Sequence, residues 1–382
     1  MEGDNEEAAA AAAISSVLGN DDLLLEILLR LGFPTCLVRA ALVSERWLRH
    51  ASDPTFLRRF RRRHPPRLLG FYVQHYSLKL PCFVPVSQAP ELAPAICRAA
   101  GSFAAGERPR SILGLDGCRN GRLLVRGPDD YTECFMLSPL LPPGAAIATP
   151  LPRVPMRGSP PHYVFLPDLE DGGLGGAVAL TTPYIDGRYL IQAFTLRSGV
   201  WVETAPPIPA RWSCGDSDVL PPVHGKIYTR TVHGIQVLDL ATASFSVVQR
   251  PDRVRKTTDF KLACAKENNS HVFLIHVENS HLLSIWQHEI GTHSWVLIHD
   301  RVCVNEAQNR HDTAVVLGSD DNLEYVFLGL LKTEILICMH LGSKIETVIR
   351  PMGNVRNIEI FPLMMIWPPI FPASPRENNS ED

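Results

Sequence analysis

The sequence has little that marks a secreted or membrane-spanning protein. Its nine cysteines are scattered singly from Cys36 to Cys338, and none forms a C-x-x-C pair. Such spacing is typical of reduced thiols rather than of a disulfide framework or a paired zinc site. No apolar run reaches about 18 residues without a charge, so no membrane-spanning helix is expected. The acidic start lacks a signal-peptide pattern. We therefore expect a protein of the cytoplasm, the nucleus or both, without a membrane partner.

The chain also lacks intact motifs for catalysis or cofactor binding. It has neither a P-loop nor a G-x-S-x-G nucleophile elbow. In QHEIGTH, His288 and His293 stand five residues apart, whereas a zinc-protease motif places them four apart on a helix, and Gly291 disfavours a helix there. We therefore expect no catalytic residue, no cofactor and no metal ion.

A helical pattern is confined to residues 20–64. Short polar side chains at residues 20–22 can cap a helix whose leucines recur at helical spacing. Thr35 is predicted to cap a second helix that carries Trp47, and Asp53-Pro54 to begin a third that ends near Arg63. Three helices in about 50 residues bury little by themselves, so such a unit needs a partner.

The stretch DDLLLEILLRLGFPTCLVRAALVSERWLRHASDPTF resembles an F-box. The residues that match the family pattern are Asp22, Leu23, Glu26, Ile27, Leu28, Arg30, Leu31, Pro34, Leu37, Arg39, Val43, Trp47, Asp53, Pro54 and Phe56. The sequence departs from the pattern at Leu18-Gly19, where the family has Leu-Pro, and at Val43-Ser44-Glu45, where it has Val-Cys-Lys. The first departure lies on the side of the expected partner contact.

This resemblance implies that residues 15–64 bind a Skp-type adaptor and, through it, a cullin ubiquitin ligase. The residues implied at the adaptor interface are Leu18, Leu23, Ile27, Leu28, Leu31, Pro34, Leu37 and Val43, and those implied in F-box packing are Trp47 and Phe56. Two alternatives stay open. The same residues are also compatible with a plain helical core, and Gly19 is compatible with an F-box that has lost its adaptor.

From residue 67 to residue 371 the pattern changes to short strands separated by turns. A strand, a tight turn and a large apolar residue recur at Trp201, Phe245, Trp295 and Ile345, in steps of 44, 50 and 50 residues. A repeat of this length indicates a β-propeller, here with six or seven blades. The pattern resembles the kelch-like, F-box-associated propellers of plants, and a two-sheet sandwich does not explain the period. Residues 67–73 and 357–366 are predicted to share the blade that closes the ring.

The predicted architecture is thus α+β and multidomain: a disordered leader (1–14), a three-helix F-box, a propeller and a disordered tail (372–382). Ten arginines and two acids lie between Arg30 and Arg67. We interpret this local charge, including the run at residues 58–64, as a solvated helix face and expect no nucleic-acid partner, although an import signal remains an alternative. The predicted function is recognition of an unidentified target protein for a ubiquitin ligase. The rival hypothesis is a propeller enzyme, a hydrolase or an oxidase, with a helical leader.

Overall fold

The structure is a computed structural model that describes residues 2–75, 80–86, 89–103, 114–127, 134–141, 149–152, 162–165, 177–183, 189–197, 200–210, 220, 223–231, 234–242, 244–254, 260–265, 271–292, 294–349 and 354–371. The chain divides into two compact units. The helical unit comprises Met1–Arg67, Gln88–Pro94 and Met365–Asp382, and the propeller unit comprises Leu68–Ser87 and Ala95–Met364. The predicted tail, residues 372–382, lies outside the described residues.

Five α-helices open the helical unit. They are α1 (Glu2–Gly19), α2 (Asp21–Leu29), α3 (Pro34–Ala41), α4 (Glu45–Ser52) and α5 (Pro54–Arg63), and a 3₁₀ helix at Pro90–Leu92 belongs to the same unit. The prediction of a disordered leader is corrected, because α1 covers that stretch; its run of alanines has the highest intrinsic helix propensity. The prediction of three F-box helices is also wrong, since four helices lie between Asp21 and Arg63.

The fourth helix arises because the predicted second helix is divided. The backbone N–H groups of Leu42 and Val43 bond to carbonyls three residues back, at Arg39 and Ala40, which tightens and ends α3. Ser44 is then extended, and its hydroxyl accepts a 3.3 Å hydrogen bond from the Trp47 N–H. Ser44 is therefore the N-cap of a new helix, α4.

The propeller unit is built almost entirely of antiparallel strands. They are β1 (Leu68–His75), β2 (Cys82–Pro85), β3 (Gly114–Arg119), β4 (Arg122–Arg126), β5 (Cys134–Leu137), β6 (Thr149–Pro150), β7 (His162–Phe165), β8 (Ala177–Pro183), β9 (Tyr189–Arg197), β10 (Val200–Ala210), β11 (Lys226–Thr231), β12 (Gly234–Asp239), β13 (Ser244–Val248), β14 (Phe260–Ala265), β15 (His271–Glu278), β16 (Leu282–Glu289), β17 (Ser294–Cys303), β18 (Ala314–Ser319), β19 (Tyr325–Leu330), β20 (Ile335–His340), β21 (Ile345–Ile349) and β22 (Ile358–Met364). Two α-helices, α6 (Ala93–Gly101) and α7 (Asn305–Asn309), interrupt this series.

Five sheets are built from consecutive strands: β3–β6, β7–β10, β11–β13, β14–β17 and β18–β21. The β11–β13 sheet shows three strands among the described residues, and the other four sheets show four. The predicted six or seven blades are therefore corrected to five blades of consecutive strands. One further sheet is not built from consecutive strands. In that sheet the strand order is β2-β1-β22, so it joins strands from opposite ends of the propeller unit.

The predicted pairing of the two ends is confirmed by this closing sheet. Strands β1 and β22 are antiparallel, with Tyr72 opposite Phe361 and Val73 opposite Ile360. The ring of Phe71 on β1 lies 4.7 Å from that of Phe327 on β19, and both side chains are fully buried. Sharing a sheet between distant strands removes free edges that would otherwise expose unpaired backbone.

Neighbouring sheets pack face to face through separate apolar clusters. Ile275 and Ile285 of one sheet are buried in the same cluster as Val326 and Ile337 of the next. The β11–β13 and β14–β17 sheets share a second cluster, and the β3–β6 and β7–β10 sheets share a third. Repeated packing of this kind is what a propeller uses in place of a single central core.

The sequence repeat marks one contact that joins successive sheets. Near the start of outer strand β10, the Trp201 Nε1–H donates to the Pro150 carbonyl at 2.7 Å, and on outer strand β17 the Trp295 Nε1–H donates to the Gln249 carbonyl at 2.8 Å. Pro150 is the last residue of β6, and Gln249 directly follows β13. These two strands are the outer strands of the preceding sheets. In these two copies, therefore, the tryptophan ties its sheet to the one before it.

The fourth copy of this slot is corrected by one residue, from Ile345 to Glu346. Glu346 faces Met339, just as Trp295 faces His288 in the equivalent hairpin, whereas Ile345 is 63% exposed. The Glu346 carboxylate accepts hydrogen bonds of 2.7 and 3.0 Å from the N–H groups of Asn305 and Glu306, which follow the preceding outer strand. A charged side chain therefore makes the contact that the tryptophan indoles make elsewhere.

Candidate functional site

Side-chain caps satisfy the first N–H groups of α2 and α5. Asn20 Oδ1 accepts from the N–H groups of Asp22 and Leu23 at 2.9 and 3.2 Å, and Asp53 Oδ1 accepts from Phe56 N–H at 2.8 Å. Both caps were predicted and are confirmed. The predicted Thr35 cap is wrong: α3 begins at Pro34 without a side-chain cap, and the Thr35 hydroxyl is buried without a hydrogen-bond partner.

One apolar cluster holds the helical unit together. Its buried members are Leu24, Leu28, Leu29, Leu37, Ala41, Ala51, Phe56, Phe60 and Trp367, and Leu25, Leu31, Ala40, Trp47, Leu48, Leu57 and Phe371 pack against them while partly exposed. Trp47 and Phe56, the two residues implied in F-box packing, both contribute to this cluster. Trp367 and Phe371, which lie far away in the sequence, were not predicted, because no local pattern connects them with the F-box.

The eight side chains implied at the adaptor interface fall into three groups. Leu28 and Leu37 are fully buried, and Pro34 is buried as well. Leu18, Ile27 and Leu31 are half-buried. Only Leu23 and Val43 are exposed, at 45% and 66%.

Leu28, Pro34 and Leu37 therefore lie within the unit's own core, where they have little surface to offer to a partner in this conformation. The predicted adaptor contacts of the eight residues stay predictions. The sequence reading also missed Leu42, which is 64% exposed beside Val43. The i→i−3 turn that ends α3 places both residues outside the apolar stripe, and that turn was hidden by the assumption of one continuous helix.

A charged network fixes the corner at which α1, α2 and α4 meet. The Arg46 guanidinium on α4 donates to Asp21 Oδ1 through Nε at 2.8 Å and through Nη2 at 2.5 Å. It also donates to the carbonyls of Leu18 and Gly19, at 2.7 and 2.9 Å, where α1 ends. Cations are favoured at such helix C-termini. His50 Nε2 lies 3.0 Å from the same Asp21 oxygen.

These contacts hold the pKa of Asp21 below its usual value, chiefly through the hydrogen bond from Arg46 and then that from His50. Arg46 also joins α4 to the end of α1, and several apolar side chains on or beside the joined helices are exposed. We call Ile14, Val17, Leu23, Leu42 and Val43, all between 40% and 66% exposed, the apolar corner.

The basic run on α5 lies on the water-facing side of an amphipathic helix. Phe56 and Phe60 are buried, whereas Arg58, Arg59, Arg62 and Arg63 are exposed. Arg59 Nη2 lies 3.4 Å from Glu26 Oε1, and both side chains are about half exposed, so this pair contributes little stability. The arrangement agrees with the interpretation of the run as a solvated face.

Among all described residues, no group of three or more histidine, cysteine or acidic side chains is placed to hold a metal ion. His288 is buried, with its ring 4.9 Å from Trp295 and 5.9 Å from Tyr228, and its motif partner His293 lies outside the described residues. None of the described helices combines the length and apolar character needed to cross a bilayer.

Comparison with known proteins finds two family models in the chain. The F-box domain model matches residues 20–59. The model described as F-box protein AT5G49610-like, beta-propeller, matches residues 115–371. No protein with a curated function matches the chain.

Solved structures with some similarity share little sequence with this chain. A chain of a nidogen/laminin complex is 10% identical with a TM-score of 0.42, and the match covers 76% of this chain and 97% of that one. TolB from Acinetobacter baumannii is 8% identical with a TM-score of 0.41, covering 77% and 66%. AztD from Citrobacter koseri is 11% identical with a TM-score of 0.34, covering 66% and 76%. Scores this low support no conclusion about function.

Proposed function

The chain belongs to the family of F-box proteins with an AT5G49610-like β-propeller, and we propose that it is the substrate-recognition subunit of an SCF-type (Skp–cullin–F-box) E3 ubiquitin ligase. In this proposal the helical unit binds a Skp-type adaptor and, through it, a cullin. The propeller unit binds the target protein. The chain contributes recognition and no bond chemistry, and it needs no cofactor. It acts in the cytoplasm, the nucleus or both.

The observation that carries the proposal is the apolar corner of a unit that matches an F-box. Soluble proteins rarely leave several large aliphatic side chains exposed together without a partner. Here Leu42 and Val43 form a turn between two helices, next to a network that fixes the adjoining helix ends. A rigid, apolar surface of this kind is suited to another protein's apolar groove, because little ordering is required on binding.

Arg46 also compensates for the departure at Leu18-Gly19. Where the family pattern has proline, this chain has Gly19, whose carbonyl accepts from Arg46 Nη2 at 2.9 Å. That bond, together with the bond to the Leu18 carbonyl, holds the segment that proline would otherwise restrict. We therefore propose that the departure leaves adaptor binding intact, in preference to an F-box that has lost its adaptor.

Reconstitution tests the ligase role. The full chain is co-expressed with a Skp-type adaptor and a cullin–RING pair, and the expected result is one complex on gel filtration that ubiquitinates the chain itself when E1, E2 and ubiquitin are added. Binding to the adaptor without recruitment of the cullin would favour an F-box protein outside ligases. Failure to bind the adaptor, combined with hydrolase or oxidase turnover, would favour the rival enzyme hypothesis.

A further inference from the structure

An aromatic side chain from a distant part of the sequence completes the core of the helical unit. The indole of Trp367 stacks on the ring of Phe60 with the two planes 7° apart and their centroids separated by 6.0 Å. Trp367 is 7% exposed and Phe60 is fully buried. Residues 365–371, which we call the Trp367 segment, follow strand β22 directly, some 300 residues after α5.

The Trp367 segment makes further contacts with the same unit. The Met365 N–H donates to the Arg67 carbonyl at 3.0 Å, and Phe371 packs against the apolar cluster that contains Phe60. Ile370, by contrast, is 38% exposed and does not belong to that cluster. The segment is therefore anchored by a backbone hydrogen bond and two aromatic side chains.

Phe60 transmits this support to the first F-box helix. Its ring also lies 4.9 Å from that of His64, and the His64 Nε2–H donates to the Leu29 carbonyl at 2.8 Å, where α2 ends. Trp367, Phe60, His64 and Leu29 thus form a continuous series of contacts. Stacked aromatic pairs in a shielded site are strong and geometrically specific.

We infer that the helical unit carries an aromatic docking site whose occupant is the chain's own Trp367 segment, and that full adaptor affinity requires this site to be filled. The F-box helices then lack part of their core unless the Trp367 segment, which follows strand β22, is in place. The resemblance, by contrast, places adaptor binding in residues 15–64 alone. The part that concerns the adaptor rests on the proposed function; the docking itself does not.

Hydrogen exchange in the full chain tests the docking. Three variants are compared with the wild type: Trp367→Ala removes the ring, Trp367→Phe keeps a stacking partner for Phe60, and Ile370→Ala changes an exposed neighbour as the matched control. We expect Trp367→Ala to speed exchange of the α2 and α5 amides by about tenfold or more, while the β14–β21 amides stay unchanged. Trp367→Phe recovers most of the protection, and Ile370→Ala matches the wild type.

A synthetic peptide with the sequence of residues 365–371 separates docking from general destabilisation. Added to Trp367→Ala, it restores α5 protection, and the same peptide with alanine in place of tryptophan does not. Exchange in Trp367→Ala within twofold of Ile370→Ala would overturn the inference. So would equal losses of protection in α5 and in the β14–β21 sheets.

Adaptor titration of the same variants provides the second readout. If the wild type binds, Trp367→Ala is expected to weaken binding by about tenfold and Trp367→Phe by much less. Equal affinity of wild type and Trp367→Ala would contradict the requirement for a filled site. If no variant binds, the proposed function fails, while the exchange measurements still decide whether the segment docks.

Discussion

The indole of Trp295 and the backbone carbonyl of Gln249 form a 2.8 Å hydrogen bond between two successive sheets of the propeller. Trp201 makes the corresponding bond to Pro150. Propeller sheets are joined mainly by apolar packing, which tolerates sliding, so a directional bond in the repeated slot fixes their register. The repeat that is visible in the sequence therefore marks contacts between sheets.

Replacing Trp295 with phenylalanine tests the role of this bond. A smaller aromatic ring remains in the same place, but the Gln249 carbonyl loses its donor, so we expect the free energy of unfolding to fall by at least about 1 kcal/mol. Val296→Ala, one residue along the same strand and exposed in the wild type, is the matched control and is expected to change it by less than about 0.5 kcal/mol. Equal values for the two variants in urea unfolding would show that the indole N–H adds nothing.

The closing sheet depends on a glycine. A Cβ added to Gly70 on β1 would collide with the Val84 carbonyl oxygen and lie 2.5 Å from Phe83 Cζ on the neighbouring strand β2. We expect Gly70→Ala to cost about 1–3 kcal/mol through backbone displacement. Gly318→Ala on β18, where nothing lies within 4 Å of the added atom, is expected to be nearly neutral. Thermal melts that coincide for the two variants would argue against the close approach of β1 and β2 in the closing sheet.

Asp320 gives the propeller a pH dependence of unusual sign. Burial, supported by the charges of Asp321 and Glu324 and opposed mainly by the Tyr325 N–H, raises the pKa of Asp320 to about 7. Because the unfolded value is about 4, the folded state holds the proton more tightly, and stability is lost as the pH rises from about 4 through 7.

Asp320→Asn removes this titration. We therefore expect the wild type to lose about 2 kcal/mol between pH 5.5 and pH 8 relative to Asp320→Asn. Urea unfolding of both proteins at the two pH values measures the difference directly. Parallel changes in the two proteins would mean that Asp320 keeps an ordinary pKa.

The Arg46 network has the opposite pH dependence. The pKa of Asp21 is lowered by Arg46 and His50, so the stability gained from the ion pair is present above the unfolded value of about 4 and is lost as the pH falls below it. We expect Arg46→Ala to lower the melting temperature of the helical unit at pH 7, with a smaller difference at pH 3. Arg49→Ala on the same helix, an exposed arginine, is the control and is expected to behave as the wild type at both pH values.

Local sequence signals predicted the parts of this molecule that local interactions determine. Asn20 and Asp53 cap helices as their side chains suggest, and strands β1 and β22 lie where β-branched and aromatic residues cluster. The division of α3 from α4 was missed because Ser44, a good N-cap, lies inside an apolar stripe that favours a continuous helix. Spacing alone also placed the fourth copy of the repeat slot one residue too early. A difference of one residue in the hairpin decides whether Ile345 or Glu346 occupies that slot.

Burial and distant contacts were beyond local reasoning. Leu28 and Val43 match the F-box pattern equally well, yet Leu28 is in the core and Val43 is on the surface. When apolar residues lie on two sides of a helix, the sequence alone does not show which side packs into the core and which side is left for a partner. Trp367 could not be assigned to the F-box at all. Its position depends on where β22 ends in space, and that location is known only from the three-dimensional structure.

In the proposed function, the exposed apolar corner of the helical unit binds a Skp-type adaptor. Calorimetric titration of the full chain with the purified adaptor tests it most directly, with the double variant Leu42→Asp/Val43→Asp as the probe and Val296→Asp, an exposed residue of the propeller unit, as the matched control. We expect the wild type and the control to bind with equal affinity. The double variant should bind at least about 100-fold more weakly, because two charges would be buried against an apolar surface, while its thermal melt stays unchanged. A wild type that does not bind, or a double variant that binds as tightly as the wild type, would contradict the claim.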